Sequence, residues 1–211
     1  MSGYTVINTI RHAETHYNRE KRYAGTIDVP LSTAGIRDTL EACEKLKSID
    51  AQFDVIIMSP LKRAIETARL LVDANVRFVK CELCIERDYG KMQGLTEDEV
   101  KLIRPKIRYI NVGGVDHSLN PPGGGETFEE LRQRARQFYR FVFTGYQGSN
   151  ILVVSHGVFL QQFHGLIRGK RWIESLASYP SNLELRSFRF KASRLLGESS
   201  IKLSERKQIN W

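Results

Sequence analysis

The sequence predicts an α/β protein: a mostly parallel sheet sandwiched by helices, with a helical and loop elaboration over the carboxyl ends of the strands. Three observations lead there. Short β-branched runs alternate with amphipathic stretches at the spacing of βα units. Two of the runs, Val55-Ile56-Ile57-Met58 and Ile151-Leu152-Val153-Val154, are apolar without alternation, as in strands covered on both faces. The chain has 211 residues, enough for one core without disulfide or metal staples. Residues 1–211 are therefore read as a single domain, with about 91–147 as the cap-like elaboration.

Each element has a local reason. Tyr4 to Ile10 is short and β-branched, a strand. Pro30-Leu31-Ser32 opens a helix that runs to about Ser48, with Ser32 as N-cap and Leu40, Ala42 and Leu46 as its apolar stripe. Asp54 to Met58 is the next strand. Ser59-Pro60 starts a helix to about Val72, with Pro60 in its first turn, and Val76 to Val79 is a third strand. Thr96-x-x-Glu99 and Thr127-x-x-Glu130 are capping boxes that begin two further helices. Between them, Asn111-Val-Gly-Gly and Pro121-Pro-Gly-Gly-Gly125 read as irregular. Ile151 to Ser155 is a buried strand followed by a helix from about Val158 to Ile167, and Asn182–Phe190 with Arg194–Leu203 forms a closing hairpin.

Composition narrows the setting. The net charge is +8, which suits nucleic acid, an anionic surface or small anionic substrates alike. No stacking motif of a single-strand or RNA binder is present, so no nucleic-acid partner is expected. No apolar run approaches the length of a membrane span, and Met1-Ser2-Gly3-Tyr4 leads straight into a strand, so neither membrane nor secretory signal is expected. Three cysteines, Cys43, Cys81 and Cys84, fit a reducing, cytoplasmic compartment, with Cys81-x-x-Cys84 read as small residues near a strand. A twofold homodimer is the commonest assembly for such a chain. The Arg and Lys of the closing segment, among them Arg186, Arg189, Arg194, Arg206 and Lys207, read as a solvated face.

Ligands of open α/β sheets bind beyond the carboxyl ends of the strands. Arg11-His12-Ala13-Glu14-Thr15 follows the first strand, Ser59 and then Arg63 the second, Glu86-Arg87-Asp88-Tyr89-Gly90 the third, and Ser155-His156-Gly157 the fourth. One end of the sheet thus collects two histidines, two or three arginines and a glutamate. Paired guanidiniums form a fork for a phosphate dianion. A neutral imidazole beside them is a nucleophile for phosphorus, a second histidine can donate to phosphoryl oxygens, and a carboxylic acid can protonate the departing alkoxide. Nothing in this chemistry needs a metal or a cofactor. His12 and His16 would suit a metal only on a helix, and the strand must still turn between them; Ser155 and His156 point to opposite faces. His117 and His164 read as surface or packing residues, and Arg104, Lys106 and Arg108 as solvated.

These residues resemble the histidine phosphatase superfamily, which includes cofactor-dependent phosphoglycerate mutase. The likeness rests on Arg11-His12-Ala13-Glu14-Thr15-His16-Tyr17-Asn18, Gly25-x-x-Asp28-x-Pro30-Leu31-Ser32, Ser59-x-Leu61-x-Arg63-Ala64, Glu86-Arg87-x-Tyr89-Gly90, Pro122-Gly-Gly-Gly125-Glu126-Thr127 and Ser155-His156-Gly157, in that order along the chain. It implies a phosphoglycerate mutase-like fold and phosphorylation of His12. It implies that Arg11, Arg63 and His156 hold the phosphoryl group, that Glu86 is the proton donor, and that Asn18, Gly25, Ser59, Arg87, Tyr89 and Gly157 contribute to phosphate or substrate binding. Ala13 stands where the family usually has Gly; only a positive φ there would make it costly. The interval from Glu86 to His156 is shorter than resembles the mutases, Val158 stands where they carry a substrate-binding Asn, and Ala24 replaces a small hydroxyl residue. The reading is therefore a phosphomonoesterase for small phosphorylated metabolites, with sugar bisphosphates as the first substrate guess. A cofactor-dependent mutase is the second reading, and an inactive binding or scaffold protein the third.

Overall fold

The computed structural model describes residues 3–104 and 106–204; Arg206 and Lys207 of the basic closing segment lie outside them. A six-stranded sheet forms the centre. Its strands are β1 (Tyr4–Arg11), β2 (Val55–Met58), β3 (Arg77–Lys80), β6 (Asn150–Ser155), β7 (Glu184–Lys191) and β8 (Arg194–Lys202), in the order β3-β2-β6-β1-β7-β8. The first four are parallel, and β7 and β8 extend the sheet antiparallel beyond β1.

The period of two along a strand explains the sandwich. Ile151 and Val153 of β6, with Val55 and Ile57 of β2, face α5 (Phe128–Gly145) and α6 (Gly157–Ile167). Leu152 and Val154, with Ile56 and Met58, face α2 (Thr33–Ser48) and α3 (Lys62–Leu71). All eight are buried, each worth roughly 1.5–3 kcal/mol relative to exposure. The unbroken apolar runs are therefore what strands with two dry faces require.

The expected elements are present, with four local differences. Ser32 caps α2 by accepting from the Gly35 amide, but Leu40 lies on the outer face, 49 % exposed, and the buried stripe is Thr39, Ala42 and Leu46. Helix α3 starts two residues after Pro60, with Leu61 at the N-cap. The Thr96 capping box forms, yet supports a single turn, α4 (Glu97–Val100). The stretch read as irregular contains a hairpin, β4 (Tyr109–Val112) and β5 (Val115–Ser118), because Gly113 and Gly114 both adopt positive φ, as a two-residue turn between antiparallel strands requires. The elaboration over the strand ends is thus α4 and this hairpin, whereas α5 buries Phe128, Leu131, Phe138 and Val142 in the main core.

Phe138 sits within 5.5 Å of the Phe159 ring and 5.1 Å of the Phe163 ring, both edge-on, and joins α5 to α6. Phe138→Ala is expected to cost roughly 3–5 kcal/mol. Leu40→Ala is expected to stay within about 0.5 kcal/mol. Urea midpoints of the two variants against the parent check both.

Candidate active site

Four chain segments leave the sheet at one end and meet around a cavity of about 130 Å³. The first is the continuation of β1. His12 extends the ladder by donating its amide to the Ser155 carbonyl at 2.9 Å, and its own carbonyl accepts from the Asn182 side chain. Ala13 is fully buried against the α2–α3 side, its amide bonded to Thr67 Oγ1, and its φ is not positive, so the alanine costs nothing there. The His12 ring nitrogen Nδ1 donates to the Ala13 carbonyl at 2.7 Å. That bond places the proton on Nδ1 and leaves the lone pair on Nε2.

The imidazole is also kept neutral. Burial pushes the His12 pKa well below 6.5, and the Arg63 and Arg11 guanidiniums push it further. Arg11 is 3 % exposed, donates to the Pro180 carbonyl and lies 4.9 Å over the Tyr179 ring, while its Nε makes no hydrogen bond within the protein. Arg63, in the first turn of α3, is 1 % exposed. Its Nε donates to His156 Nδ1 at 3.2 Å, and its terminal nitrogens donate to the Ile27 and Gly25 carbonyls at 2.8 and 2.7 Å. A guanidinium has five N–H donors, so two remain for a ligand. Burial lowers the Arg63 pKa to about 10, which still leaves it a cation at neutral pH.

His156 is fully buried, its ring 5.2 Å from that of His12 and tilted to it. Since its Nδ1 accepts from Arg63, its Nε2 carries the proton and donates to Ser59 Oγ at 2.7 Å. Burial, and then Arg63, keep it neutral as well. Ser155 turns the other way, its Oγ bonded to the Cys84 carbonyl. Glu86 enters from the opposite side. One of its oxygens accepts from the amides of Arg87 and Phe159 at 2.9 and 3.0 Å, and the other from Val158 at 3.2 Å. The carboxyl group is thereby fixed at the amino end of α6, where the orphan amides of a helix lie.

Arg11, His12, Asn18, Gly25, Arg63, Glu86 and Tyr89, all expected in the site, line the cavity. Asn18 also completes the cap of α1 (His16–Arg19) by accepting from the Thr15 amide. Four other expected residues are not among those that line the cavity. Arg87 turns away, because neighbours on extended backbone point oppositely; it is buried on the Phe128 ring at 3.9 Å and donates to the Glu126 and Ser118 carbonyls. Ser59 and His156 are bonded to each other beside His12, and Gly157 packs closely, since an added Cβ would come within 1.9 Å of the Tyr179 hydroxyl. His16 is exposed, and no group of three or more potential metal-ligating side chains occurs among the described residues.

The sequence reading missed Gln161, Tyr179, Glu97, Asp116 and His117, which also line the cavity. Consecutive glutamines in the apolar Val158–Phe163 run were a usable signal for Gln161. Tyr179 sits on a loop, Asp116 and His117 on the hairpin and Glu97 in the single turn of α4, where no periodicity marks them. His164, read as surface or packing, is a core residue bonded to Thr9 Oγ1 at 2.8 Å.

A buried, neutral imidazole with a free nitrogen between two cations is the equipment of phosphoryl transfer, and the comparisons agree with that class. Residues 7–203 match the family described as histidine phosphatase superfamily (branch 1), and the chain belongs to that superfamily. It is 30 % identical over 186 residues to phosphoglycerate mutase-like protein 4 of Arabidopsis thaliana, covering 85 % of this chain and 79 % of that one. It is 32 % identical over 154 residues to the uncharacterized phosphatase PhoE of Bacillus subtilis (strain 168), covering 72 % of each. The alpha-ribazole phosphatase of Shigella flexneri superposes with a TM-score of 0.78 at 22 % identity, over 90 % of this chain and 93 % of that one, and shares the fold.

His12, His156 and His164 are each buried and neutral, their pKa values held well below 6.5. The unfolded chain takes up protons at these positions as pH falls below 6.5, and the folded chain does not. The stability is therefore complete above pH 6.5 and is lost below it, by up to roughly 1.4 kcal/mol per pH unit for each histidine. Urea midpoints at pH 7.5 and 5.5 are expected to differ accordingly; a flat profile contradicts the burial of neutral imidazoles.

Proposed function

We propose that the chain is a metal-independent phosphomonoesterase that acts on small phosphorylated metabolites through a phosphohistidine. The observation that carries this reading is the tautomer of His12: Nδ1 is spent on the Ala13 carbonyl, and Nε2 is free on a cavity wall between Arg11 and Arg63. In the first step the Nε2 lone pair forms the N–P bond, and the P–O bond to the alcohol breaks. The leaving oxygen takes a proton from Glu86, a residue that lines the same cavity. In the second step water attacks phosphorus and gives a proton back to Glu86, and the N–P electron pair returns to Nε2.

Arg11 and the two remaining donors of Arg63 hold the phosphoryl oxygens. Such donors are each worth roughly 3–4 kcal/mol to the transition state. His156 holds Arg63 from behind, and its Nε2–H reaches a phosphoryl group on His12 by exchanging Ser59 for a phosphoryl oxygen. The phosphatase direction is favoured over the mutase by the short connection from Glu86 to His156 and by Val158, an aliphatic side chain on the cavity wall where a mutase needs a polar contact to retain its bisphosphate. The mutase remains the second reading, supported by the mutase-like relative. The cytoplasm is the proposed compartment, on cysteine usage alone; no helix among the described residues is long and apolar enough to cross a membrane.

His12→Ala is expected to abolish phosphate release from every substrate. Glu86→Gln is expected to slow alkyl phosphates by roughly 10²–10⁴-fold and to spare p-nitrophenyl phosphate, whose phenolate leaves without a proton. Steady-state rates on the two substrate types check this; equal losses on both contradict the acid role of Glu86.

A further inference from the structure

The phosphoryl end of the cavity is strongly cationic, and its other end is the reverse. Around the mouth stand Glu97, from α4, and Asp116, from β5. Arg22 is the cation at that end, and its charge is shared between two carboxylates. Its Nε lies 2.7 Å from Glu20, and one terminal nitrogen lies 2.9 Å from Glu99 and 2.8 Å from the Gly94 carbonyl. Next to the mouth runs a groove that shares Tyr23, Glu97 and Asp116 as its wall and carries Lys101 and Lys106. Lys101 is paired with Asp98 at 2.7 Å, and Lys106 is exposed in the groove and is not among the residues that line the cavity.

The inner wall tells the same story. Gln161 is 1 % exposed; its Nε2 donates to the Leu176 carbonyl at 3.0 Å, and its Oε1 accepts nothing within the protein. His117 Nε2 is also buried without a partner and donates or accepts according to its tautomer, so the acceptor that calls for a donor-bearing ligand is Gln161 Oε1. A buried acceptor without a donor is costly unless a ligand supplies one. A second phosphate or a carboxylate has only acceptors to offer Gln161 Oε1 and would share the cavity with the carboxylates of Glu97 and Asp116.

We infer that the substrate's alcohol part is not anionic and is rich in hydrogen-bond donors: the monophosphate of an amino alcohol or a polyol, rather than a bisphosphate or a phosphorylated carboxylic acid. This rests on the phosphomonoesterase reading and replaces the bisphosphate expectation drawn from the sequence. Like charges within a few ångströms near a protein surface interact by several kcal/mol at most, enough for tenfold or larger preferences.

The experiment compares kcat/KM for phosphoethanolamine and glycerol 1-phosphate with that for 3-phosphoglycerate and fructose 1,6-bisphosphate. The expected result is a preference of about 10-fold or more for the first pair. The two arms within that pair separate an ammonium from hydroxyl donors. In the double variant Glu97→Lys/Asp116→Lys the ratio of phosphoethanolamine to 3-phosphoglycerate is expected to fall by about 10-fold or more, a ratio that partial misfolding would leave unmoved. A parent enzyme that prefers the acidic substrates, or a variant with an unchanged ratio, overturns the inference. Absence of turnover on all substrates, p-nitrophenyl phosphate included, overturns the phosphatase reading instead. The charge preference is then still decided by calorimetric Kd values of the same four compounds for the His12→Ala protein.

Discussion

Two buried guanidiniums without a carboxylate partner govern this molecule. Among the described residues neither Arg11 nor Arg63 takes part in an ion pair. Burying a charge is expensive unless it is paired or well hydrogen-bonded. Arg63 is tolerated because two backbone carbonyls and His156 Nδ1 surround it, and Arg11 because of the Pro180 carbonyl and the face of Tyr179. The remaining field is positive, and it does two things. Added to burial, it keeps both imidazoles neutral, and it favours a dianion beside them.

The fold serves this arrangement by convergence of strand ends. β1 delivers Arg11 and His12, β2 delivers Ser59 and the turn into Arg63, and β6 delivers His156 to the same edge. Parallel pairing keeps these ends in register, and the dry faces of β2 and β6 make the platform rigid. Glu86 is held by the amides at the start of α6, so this carboxyl group and the second histidine are positioned by the same turn. The bond from Ser155 to the Cys84 carbonyl ties the loop that carries Glu86 to the sheet.

The parts of this design carried by chain periodicity and by adjacent residues were readable from the sequence. The doubly apolar strands, the Ser32 and Thr127 caps, the closing hairpin and the cluster of Arg11, His12, Arg63 and Glu86 all follow from local chemistry. What escaped was set by tertiary contacts. Leu40 was placed on the wrong face because a helical stripe tells only relative angles, not which edge meets the sheet. Arg87 is chemically as good a phosphate ligand as Arg63, and only the packing of its guanidinium on Phe128 removes it from the site. Gly113-Gly114 was read as irregular, although positive φ at both makes it a hairpin turn, and with that hairpin went His117 and Asp116, which with Glu97 lines the cavity's second, acidic end.

The central claim is that a phosphoryl group passes through Nε2 of His12, and trapping that group tests it most directly. Samples quenched in alkaline detergent during turnover of an alkyl phosphate, digested at neutral or alkaline pH and read by mass spectrometry, are predicted to show an acid-labile phosphoryl adduct on the peptide holding Arg11-His12-Ala13. An adduct mapped to another residue, or steady turnover with no adduct and direct in-line transfer of the phosphoryl group to water, would contradict the account.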